Sequence, residues 1–226
     1  MMQYPSSWLQ GASLGESIAC ELRLQIIKGT IKVGEVLSEN RIAADFGTSR
    51  SPVREAMRVL ASEGLIRLER MGAVVLGLSL KDVEELYDVR YLIESFVQQR
   101  VSVMKLGTLI PSLKMIIDKM ELAAKHKDVV DFSYLDLSFH ESMVMEADHT
   151  RILHLWKSIR HIVMTVMLIT TEEVFSKGED KVQFVIDKHR LLVKGLESKD
   201  PKRIQEVVRE YFSDSRNTLH HSFPSL

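Results

Sequence analysis

The sequence predicts a mainly α protein, in which an N-terminal winged helix-turn-helix domain is followed by an all-helical bundle. Two helical patterns within residues 38–64 are separated by only a few residues, which is typical of a helix-turn-helix. Short β-prone runs at 66–69 and 74–76 follow, with Gly72 between them, and they predict a hairpin wing. From residue 79 onward the apolar residues recur at helical spacing.

Length and composition are those of a globular protein with two domains. The chain has 226 residues, 45% of them hydrophobic and 27% charged, and a formal net charge of −1. We expect one domain over residues 1–77, beginning with an arm over 1–13, and a second over 78–226. The single cysteine, Cys20, excludes an intrachain disulfide and is typical of a reducing compartment.

Neither a membrane span nor a signal peptide is expected. The longest apolar run, residues 162–169, is less than half of the roughly 20 residues that a membrane-spanning helix requires. The first ten residues lack both the basic residues and the continuous apolar segment of a signal peptide. The sequence therefore predicts a cytoplasmic protein without membrane contact.

Capping residues set the expected positions of the first helices. A helix over residues 14–28 opens the first domain. Ser38 is placed to cap the next helix and Gly47 to end it. After the turn, Ser49 and Pro52 mark the start of the following helix, because proline is tolerated only in the first turn of a helix.

The second helix of the pair has two distinct faces. Its buried stripe is expected to contain Val53, Ala56, Met57 and Leu60. Another face carries arginines at every fourth position, Arg50, Arg54 and Arg58. An arginine stripe on a single helix is usually a solvated surface. Here it coincides with a short turn, a serine-rich helix start and a wing, and this combination predicts a helix that binds the major groove of DNA.

The positive charge of this region is modest. Residues 41–70 contain six arginines against four carboxylates. Since protein–DNA affinity depends strongly on the number of phosphates neutralised, one copy is expected to bind weakly. We therefore expect a homodimer that binds two half-sites of double-stranded operator DNA.

In the second domain, polar residues interrupt the apolar faces of predicted helices. The helices are expected at about 79–105, 110–125, 131–147, 151–170, 182–198 and 201–219. The interrupting residues are Arg90, Asp136, His140, Arg160, His189 and Tyr211. Any single one is more often a hydrogen-bonded core residue, but as a set they favour a polar ligand pocket inside the bundle. Asp136 and His140 lie one helical turn apart and are suited to share one metal ion.

Five motifs carry a resemblance to a known family. They are Leu37-Ser-Glu-Asn-Arg-Ile-Ala, Ser49-Arg-Ser-Pro-Val-Arg-Glu-Ala, Leu60-Ala-Ser-Glu-Gly-Leu-Ile, Asp136-Leu-Ser-Phe-His140 and Asp187-Lys-His-Arg190. The chain resembles, over nearly its whole length, GntR-superfamily transcriptional regulators of the FadR subfamily, which have an all-helical effector domain. Residues 4–9, 37–46 and 67–75 further resemble the gluconate operon repressors within that group.

The resemblance implies roles for residues of the first domain. Arg41, Arg50 and Arg54 would contact bases, Ser49 and Ser51 would contact backbone phosphates, and Gly72 in the wing would lie near the minor groove. It also implies a homodimer on a short palindromic operator.

For the second domain, the resemblance implies a divalent metal, zinc or nickel, held by one aspartate and three histidines. Asp136, His140 and His189 match three of these positions, whereas Tyr211 occupies the fourth. A protonated phenol is a poor metal ligand. The same pocket would alternatively bind a sugar acid directly, through Arg90 and the histidines. The candidate effector-binding residues are thus Arg90, Asp136, His140, Arg160, His189 and Tyr211.

Together these features predict a ligand-responsive repressor that leaves its operator when a small carboxylate such as gluconate binds the helical domain. One alternative is a metal-dependent regulator of the same fold that responds to another organic acid. A second is a metal-dependent enzyme, which is not expected because the sequence lacks a base motif such as His-Glu-x-x-His. A third is an architectural DNA-binding protein that senses nothing.

Overall fold

The computed structural model describes residues 4–70, 72–104 and 107–223, which form two compact units that divide between Leu78 and Ser79. The first unit contains a one-turn 3₁₀ helix (Ser6–Leu9), α1 (Leu14–Ile27), β1 (Val36–Leu37), α2 (Glu39–Asp45), α3 (Arg50–Ser62), β2 (Ile66–Glu69) and β3 (Gly72–Val75). The second contains α4 (Leu80–Ser102), α5 (Leu109–Lys125), α6 (Val129–Glu146), α7 (Thr150–Ser176), α8 (Glu179–Ser198) and α9 (Pro201–Ser222).

Serines precede several helices at the expected positions. Ser79 and Asp82 form a capping box before α4, in which each side chain accepts a hydrogen bond from the backbone N–H of the other residue. Ser38 and Ser49 stand immediately before α2 and α3, but neither side chain makes a capping hydrogen bond. The expectation that Ser38 caps α2 through its side chain was therefore wrong. Ser49 does precede the first residue of α3, as expected, but its hydroxyl does not cap that helix.

The wing has three strands rather than two. Its strands are antiparallel in the order β1-β3-β2, and Val36 and Leu37 of β1 pair with Val74 and Ala73 of β3. The β3 strand begins at Gly72, two residues earlier than expected, while residue 71 of the predicted hairpin lies outside the described residues. Gly72 has φ +139°, and a Cβ there would lie 2.2 Å from the carbonyl oxygen of Leu37. The close approach of the two strands therefore requires glycine at this position.

The core of the first unit forms where α1 packs against α3. All four residues of the predicted stripe, Val53, Ala56, Met57 and Leu60, are buried. Cys20 on α1 is buried as well. Beside it, the buried Arg23 donates two hydrogen bonds of 2.7 Å to the two carboxylate oxygens of Glu63. This bidentate pair joins the middle of α1 to the residue that follows α3.

The N-terminal arm packs on the same unit. Tyr4 is buried, and its backbone N–H donates a 2.8 Å hydrogen bond to the carboxylate of Glu21 on α1. The ring of Tyr4 meets the ring of Trp8 edge to face, with 5.6 Å between the centroids. Residues 4–9 of the predicted arm are thus anchored to α1.

The second unit is a bundle in which α7 contacts α4, α6, α8 and α9. This helix ends at Ser176, six residues beyond the expected end, and by length and composition alone it is apolar enough to cross a membrane. The sequence had predicted no such helix. The polar side chains of Thr165, Thr170 and Thr171 are buried along it, as are apolar residues from Ile162 to Leu168, whereas Leu155 near its start is exposed. This is the environment of a core helix in a helical bundle.

The Arg23–Glu63 pair gives a test of the first unit's stability. Replacing Glu63 with Gln leaves the buried guanidinium of Arg23 without a countercharge, and we expect the free energy of unfolding to fall by about 3 kcal/mol. Urea denaturation followed by circular dichroism measures this loss. As a control, Glu69→Gln breaks the exposed pair of Glu69 with Arg67 and should cost less than about 1 kcal/mol. Equal losses in the two variants would contradict a stabilising role for the buried pair.

Candidate DNA-binding surface and polar cluster

The first turn of α3 exposes the residues predicted to bind DNA. Ser49, Arg50, Ser51 and Arg54 are all exposed, and they line one surface cleft together with Glu55 and Arg58. The opposite face of α3 is the buried stripe described above. One helix therefore anchors itself in the core and presents arginines and serine hydroxyls to solvent, as a recognition helix requires.

The other predicted DNA contacts lie on neighbouring elements. Arg41 on α2 has 84% of its side chain exposed, and its Nε lies 3.9 Å from Oδ2 of Asp45. Arg54 extends toward α2, where its Nε donates a 2.8 Å hydrogen bond to Glu39. Gly72 begins β3 and is half-buried. Its positive φ and the close approach of Leu37 in β1 explain why glycine is required there. Since the Arg54–Glu39 pair is exposed, breaking it to free the guanidinium for a base would cost little.

In the second unit, four helices bring buried polar side chains together. Arg90 and Glu94 come from α4, Asp136 and His140 from α6, His189 from α8 and Tyr211 from α9, and every one is buried. Each helix places its residue there because the residue occupies a position on its inward apolar face. Five of the six predicted effector residues, all but Arg160, therefore meet in the bundle core.

Hydrogen bonds fix the orientation of His189. Its Nδ1 lies 2.8 Å from the carbonyl oxygen of Val185, and because a carbonyl only accepts, Nδ1 carries the proton. Its Nε2 lies 2.9 Å from Oδ1 of Asp136. In a neutral imidazole this places two lone pairs against each other. The contact is favourable only if Nε2 is also protonated or if a cation lies between the two atoms.

His140 is held in the same way by a carboxylate. Its Nδ1 lies 2.5 Å from Oε2 of Glu94, which only accepts when ionised, so Nδ1 donates. Its Nε2 faces the centre of the cluster, 2.8 Å from the phenol oxygen of Tyr211 and 3.4 Å from Oδ1 of Asp136. A metal-binding histidine usually donates the N–H of its other ring nitrogen to such a carboxylate, which fixes the orientation of the ring.

The charges in the cluster support one another. Burial alone raises the pKa of the Asp136 carboxyl, but the charge of His189 and hydrogen bonds from both histidines hold that pKa well below its usual range. Burial likewise lowers the pKa of His140, yet the charge of Glu94 keeps it above the ordinary value. Burial and then the charge of Asp136 raise the pKa of Tyr211 well above its ordinary value, so this phenol keeps its proton.

Three of these residues have the geometry of metal ligands. One ligand atom from each of Asp136, His140 and His189 lies within 4.8 Å of the others. Atoms that each lie about 2.1 Å from one ion are about 3.0–3.4 Å apart in octahedral or tetrahedral geometry. The distances of 2.9 and 3.4 Å from Asp136 to the two histidines are close to this range. Because Tyr211 keeps its proton, it is a neutral hydrogen-bonding neighbour of His140 rather than an anionic fourth ligand.

A small polar cavity of about 50 Å³ lies beside the cluster. Its lining includes Tyr87, Arg90, Asp136, Thr170, Thr171, Lys188, Tyr211, Ser215 and Thr218. The Nε of Arg90 donates a 3.0 Å hydrogen bond to Glu94, whereas its Nη2, though 2.9 Å from the same carboxylate, is not aligned for one. No described residue accepts a hydrogen bond from this buried Nη2. A free guanidinium donor in a polar cavity is suited to bind a carboxylate.

Arg160, the sixth predicted effector residue, does not line this cavity. It lies on α7 and donates hydrogen bonds of 2.6 and 3.0 Å to the two oxygens of Glu141 on α6. The partner of Arg160 is thus an internal carboxylate, which the apolar pattern of a single helix does not reveal.

Lys188 is a cavity residue that the sequence analysis missed. It is buried, burial lowers its pKa to about 8, and its Nζ donates a 3.2 Å hydrogen bond to the hydroxyl of Ser215. A signal was present in the sequence, because Lys188 lies three residues after Val185 and four before Leu192 on the apolar stripe of α8. The hydroxyls of Thr170 and Thr171 gave no comparable signal, since buried threonines are common in helices.

Comparisons with known proteins assign the family. Residues 14–76 match the model of bacterial regulatory proteins of the gntR family, and residues 85–214 match that of the FCD domain. The gluconate operon transcriptional repressor of Bacillus licheniformis is 40% identical over 93% of this chain and 87% of its own length. That of Bacillus subtilis (strain 168) is 39% identical over 96% of this chain and 89% of its own length.

A solved structure has the same fold. E. coli McbR/YncC superposes with a TM-score of 0.71 at 18% identity, covering 94% of this chain and 99% of that one. With such low identity, this likeness concerns the fold alone. The matches in sequence are those of transcriptional regulators and not of enzymes, so the enzyme alternative is set aside. The chain belongs to the gntR family of bacterial regulatory proteins, with an FCD domain following its DNA-binding domain.

Proposed function

We propose that this protein is a ligand-responsive transcriptional repressor of a sugar-acid operon, which binds gluconate or a close relative of it in the cytoplasm. The observation that carries the proposal is the buried Nη2 of Arg90, which forms an ion pair with Glu94 but donates no hydrogen bond to a described residue, in a guanidinium that lines a polar cavity. The names of the two Bacillus relatives, both gluconate operon repressors, support the same class of regulated genes.

Operator binding is assigned to the first unit. Arg41, Arg50 and Arg54 contact bases, Ser49 and Ser51 contact phosphates, and Gly72 places the wing near the minor groove. The exposure of the serines and arginines supports this assignment. We propose that the protein acts as a homodimer, because one copy carries a small excess of positive charge and a palindromic operator doubles the contact. Exposed Val89, Leu92 and Phe96, three to four residues apart on α4, are suited to contact a second copy.

Effector binding is assigned to the helical unit. The guanidinium of Arg90 binds the carboxylate of the acid, and the hydroxyls around the cavity bind its hydroxyl groups. An effector shifts the operator equilibrium only by its differential affinity for the two states. The acid must therefore bind the DNA-free form more tightly than the DNA-bound form in order to release the repressor.

We further propose one divalent metal ion, zinc or nickel, per chain, held by Asp136, His140 and His189. The distances between their ligand atoms and the opposed lone pairs of Asp136 and His189 support this set. When bound, the ion supplies a fixed positive charge and a Lewis acid that attract a carboxylate. Glu94 and the Val185 carbonyl hold the two histidine rings with Nε2 toward the centre.

A second candidate has the same fold and a different acid. The metal ligands and Arg90 together recognise a carboxylate, and neither group distinguishes a sugar acid from another organic acid. The hydroxyl-rich lining of the cavity favours a hydroxylated acid over an apolar one.

A titration with a fluorescent operator tests the effector. Millimolar gluconate should weaken operator binding at least tenfold, because the acid stabilises the DNA-free form. Glucitol, which has the hydroxyls without the carboxylate, should have no effect. In the variant Arg90→Lys, which keeps the charge but not the bidentate geometry, the response to gluconate should be strongly reduced. An unchanged operator affinity at millimolar gluconate would remove gluconate from the account.

The variant Arg50→Ala tests the recognition helix. If Arg50 binds a base edge, its loss should cost about 1–3 kcal/mol of operator affinity and relax the base preference at one operator position. Fluorescence anisotropy with a set of single-base operator variants measures both effects. The matched control is Arg203→Ala, an exposed arginine on α9. Equal affinities for Arg50→Ala and the control would show that Arg50 does not contact the operator.

Elemental analysis of the purified protein tests the metal site. We expect about one zinc or nickel ion per chain, lost in both His140→Ala and His189→Ala because each removes a ligand. Glu94→Gln should lower metal affinity about 10- to 100-fold, because the Glu94 carboxylate orients the ring of the ligand His140. His154→Ala, an exposed histidine on α7, is the control. Retention of the ion in both ligand variants would mean that the ligands lie elsewhere.

A further inference from the structure

The polar cavity continues into a larger groove on the surface of the helical unit. The groove has a volume of about 360 Å³ and is formed by α7, α8 and α9. Cavity and groove share three lining residues, Val174, Val185 and Thr218. The two therefore form one elongated site, with Arg90 and Asp136 in the inner part and a mouth at the surface.

Lys188 lies where the two parts meet. Its side chain lines the inner cavity, and its Nζ lies 5.7 Å from the ring centroid of Phe184, which lines the outer groove. Only one hydrogen bond of this buried ammonium is satisfied by a described residue, the bond to Ser215, and no described carboxylate forms an ion pair with it. The same Nζ lies 4.5 Å from the ring centroid of Tyr211, which stabilises its charge. An ammonium has three donors, so donor capacity remains for a ligand in the site.

Two threonine hydroxyls near Lys188 are also available. The side chains of Thr171 and Thr218 line the cavity, and neither forms a hydrogen bond with a described residue. Thr171 is on α7 and Thr218 on α9, so these hydroxyls come from two of the helices that form the outer groove. Each is both a donor and an acceptor, as a hydroxyl group on a ligand also is.

We propose that this site recognises the chain length of an open-chain polyhydroxy acid. The carboxylate binds at Arg90, and the hydroxyls at the far end of the ligand bind Lys188, Thr171 and Thr218. Arg90, Lys188 and Thr171 line the inner cavity, and Thr218 lines both the cavity and the outer groove. A six-carbon aldonic acid offers five hydroxyls to Lys188 and the two threonines, whereas a three-carbon acid offers only two. This inference rests on the proposed function, since it assigns the acid to the same cavity, and it adds the residues that select its length.

A series of aldonic acids tests the proposal by isothermal titration calorimetry of the full chain. Glycerate, threonate, ribonate and gluconate have three to six carbons and the same carboxylate end. Affinity should rise along the series and be at least tenfold higher for gluconate than for glycerate, since each added hydrogen bond contributes about two- to tenfold. Lys188→Met and, independently, Thr171→Val should lower gluconate affinity about five- to tenfold and glycerate affinity less than threefold.

The control variant is Lys194→Met, which removes an exposed lysine on α8 that does not line the site. It should retain the full difference between glycerate and gluconate. Equal affinities of the unaltered protein for these two acids would overturn the length proposal and leave the proposed function intact. Equal losses for both acids in Lys188→Met and Thr171→Val would overturn it too, because these residues would then act at the carboxylate. If no acid of the series bound, both proposals would fall.

Discussion

The hydrogen bond between His140 and Glu94 is the interaction on which the helical unit's polar centre depends. It lies in the bundle core, where an ionised carboxylate is stable only beside opposing charges, and Arg90 and His140 supply them. Through it α4 and α6 are joined, and Asp136 and His189 extend the network to α8. Buried ionic groups of this kind are seldom the most stable way to fill a core, because apolar residues of similar volume often do as well or better. A ligand site gives a physical reason for these charges.

The two units use related chemistry for different purposes. On α3, exposed arginines face solvent, where they are available to an operator. In the bundle, Arg90 is buried between the rings of Tyr87 and Phe212, with its Cζ 4.9 and 5.4 Å from their centroids. The rings and Glu94 fix the guanidinium in one orientation and leave one nitrogen free. A fixed donor in a low-dielectric cavity loses little entropy when it binds an anion, so an arginine held in this way is suited to anchor a carboxylate.

Periodic patterns in the sequence predicted much of the fold and most members of the buried polar cluster. The stripe on α3 and the placement of Asp136, His140 and His189 on the inward faces of their helices follow from spacing within each helix, and the structure buries these residues as expected. The two-residue strand β1 was missed because it is too short to show alternation and is defined by pairing with a distant strand. Arg160 was wrongly expected in the ligand pocket, because the pattern of α7 alone does not show that its partner, Glu141, lies on α6. Lys188 was overlooked because its role depends on a cavity that several helices form together.

The central claim is that the helical unit senses a hydroxylated carboxylate through Arg90, next to the Asp136 and histidine cluster. A crystal structure of the protein grown with gluconate tests it most directly. The account predicts density for the acid in the inner cavity, with its carboxylate within hydrogen-bond distance of the Arg90 guanidinium. Gluconate bound at another site, or side chains filling the cavity in the presence of saturating acid, would contradict it.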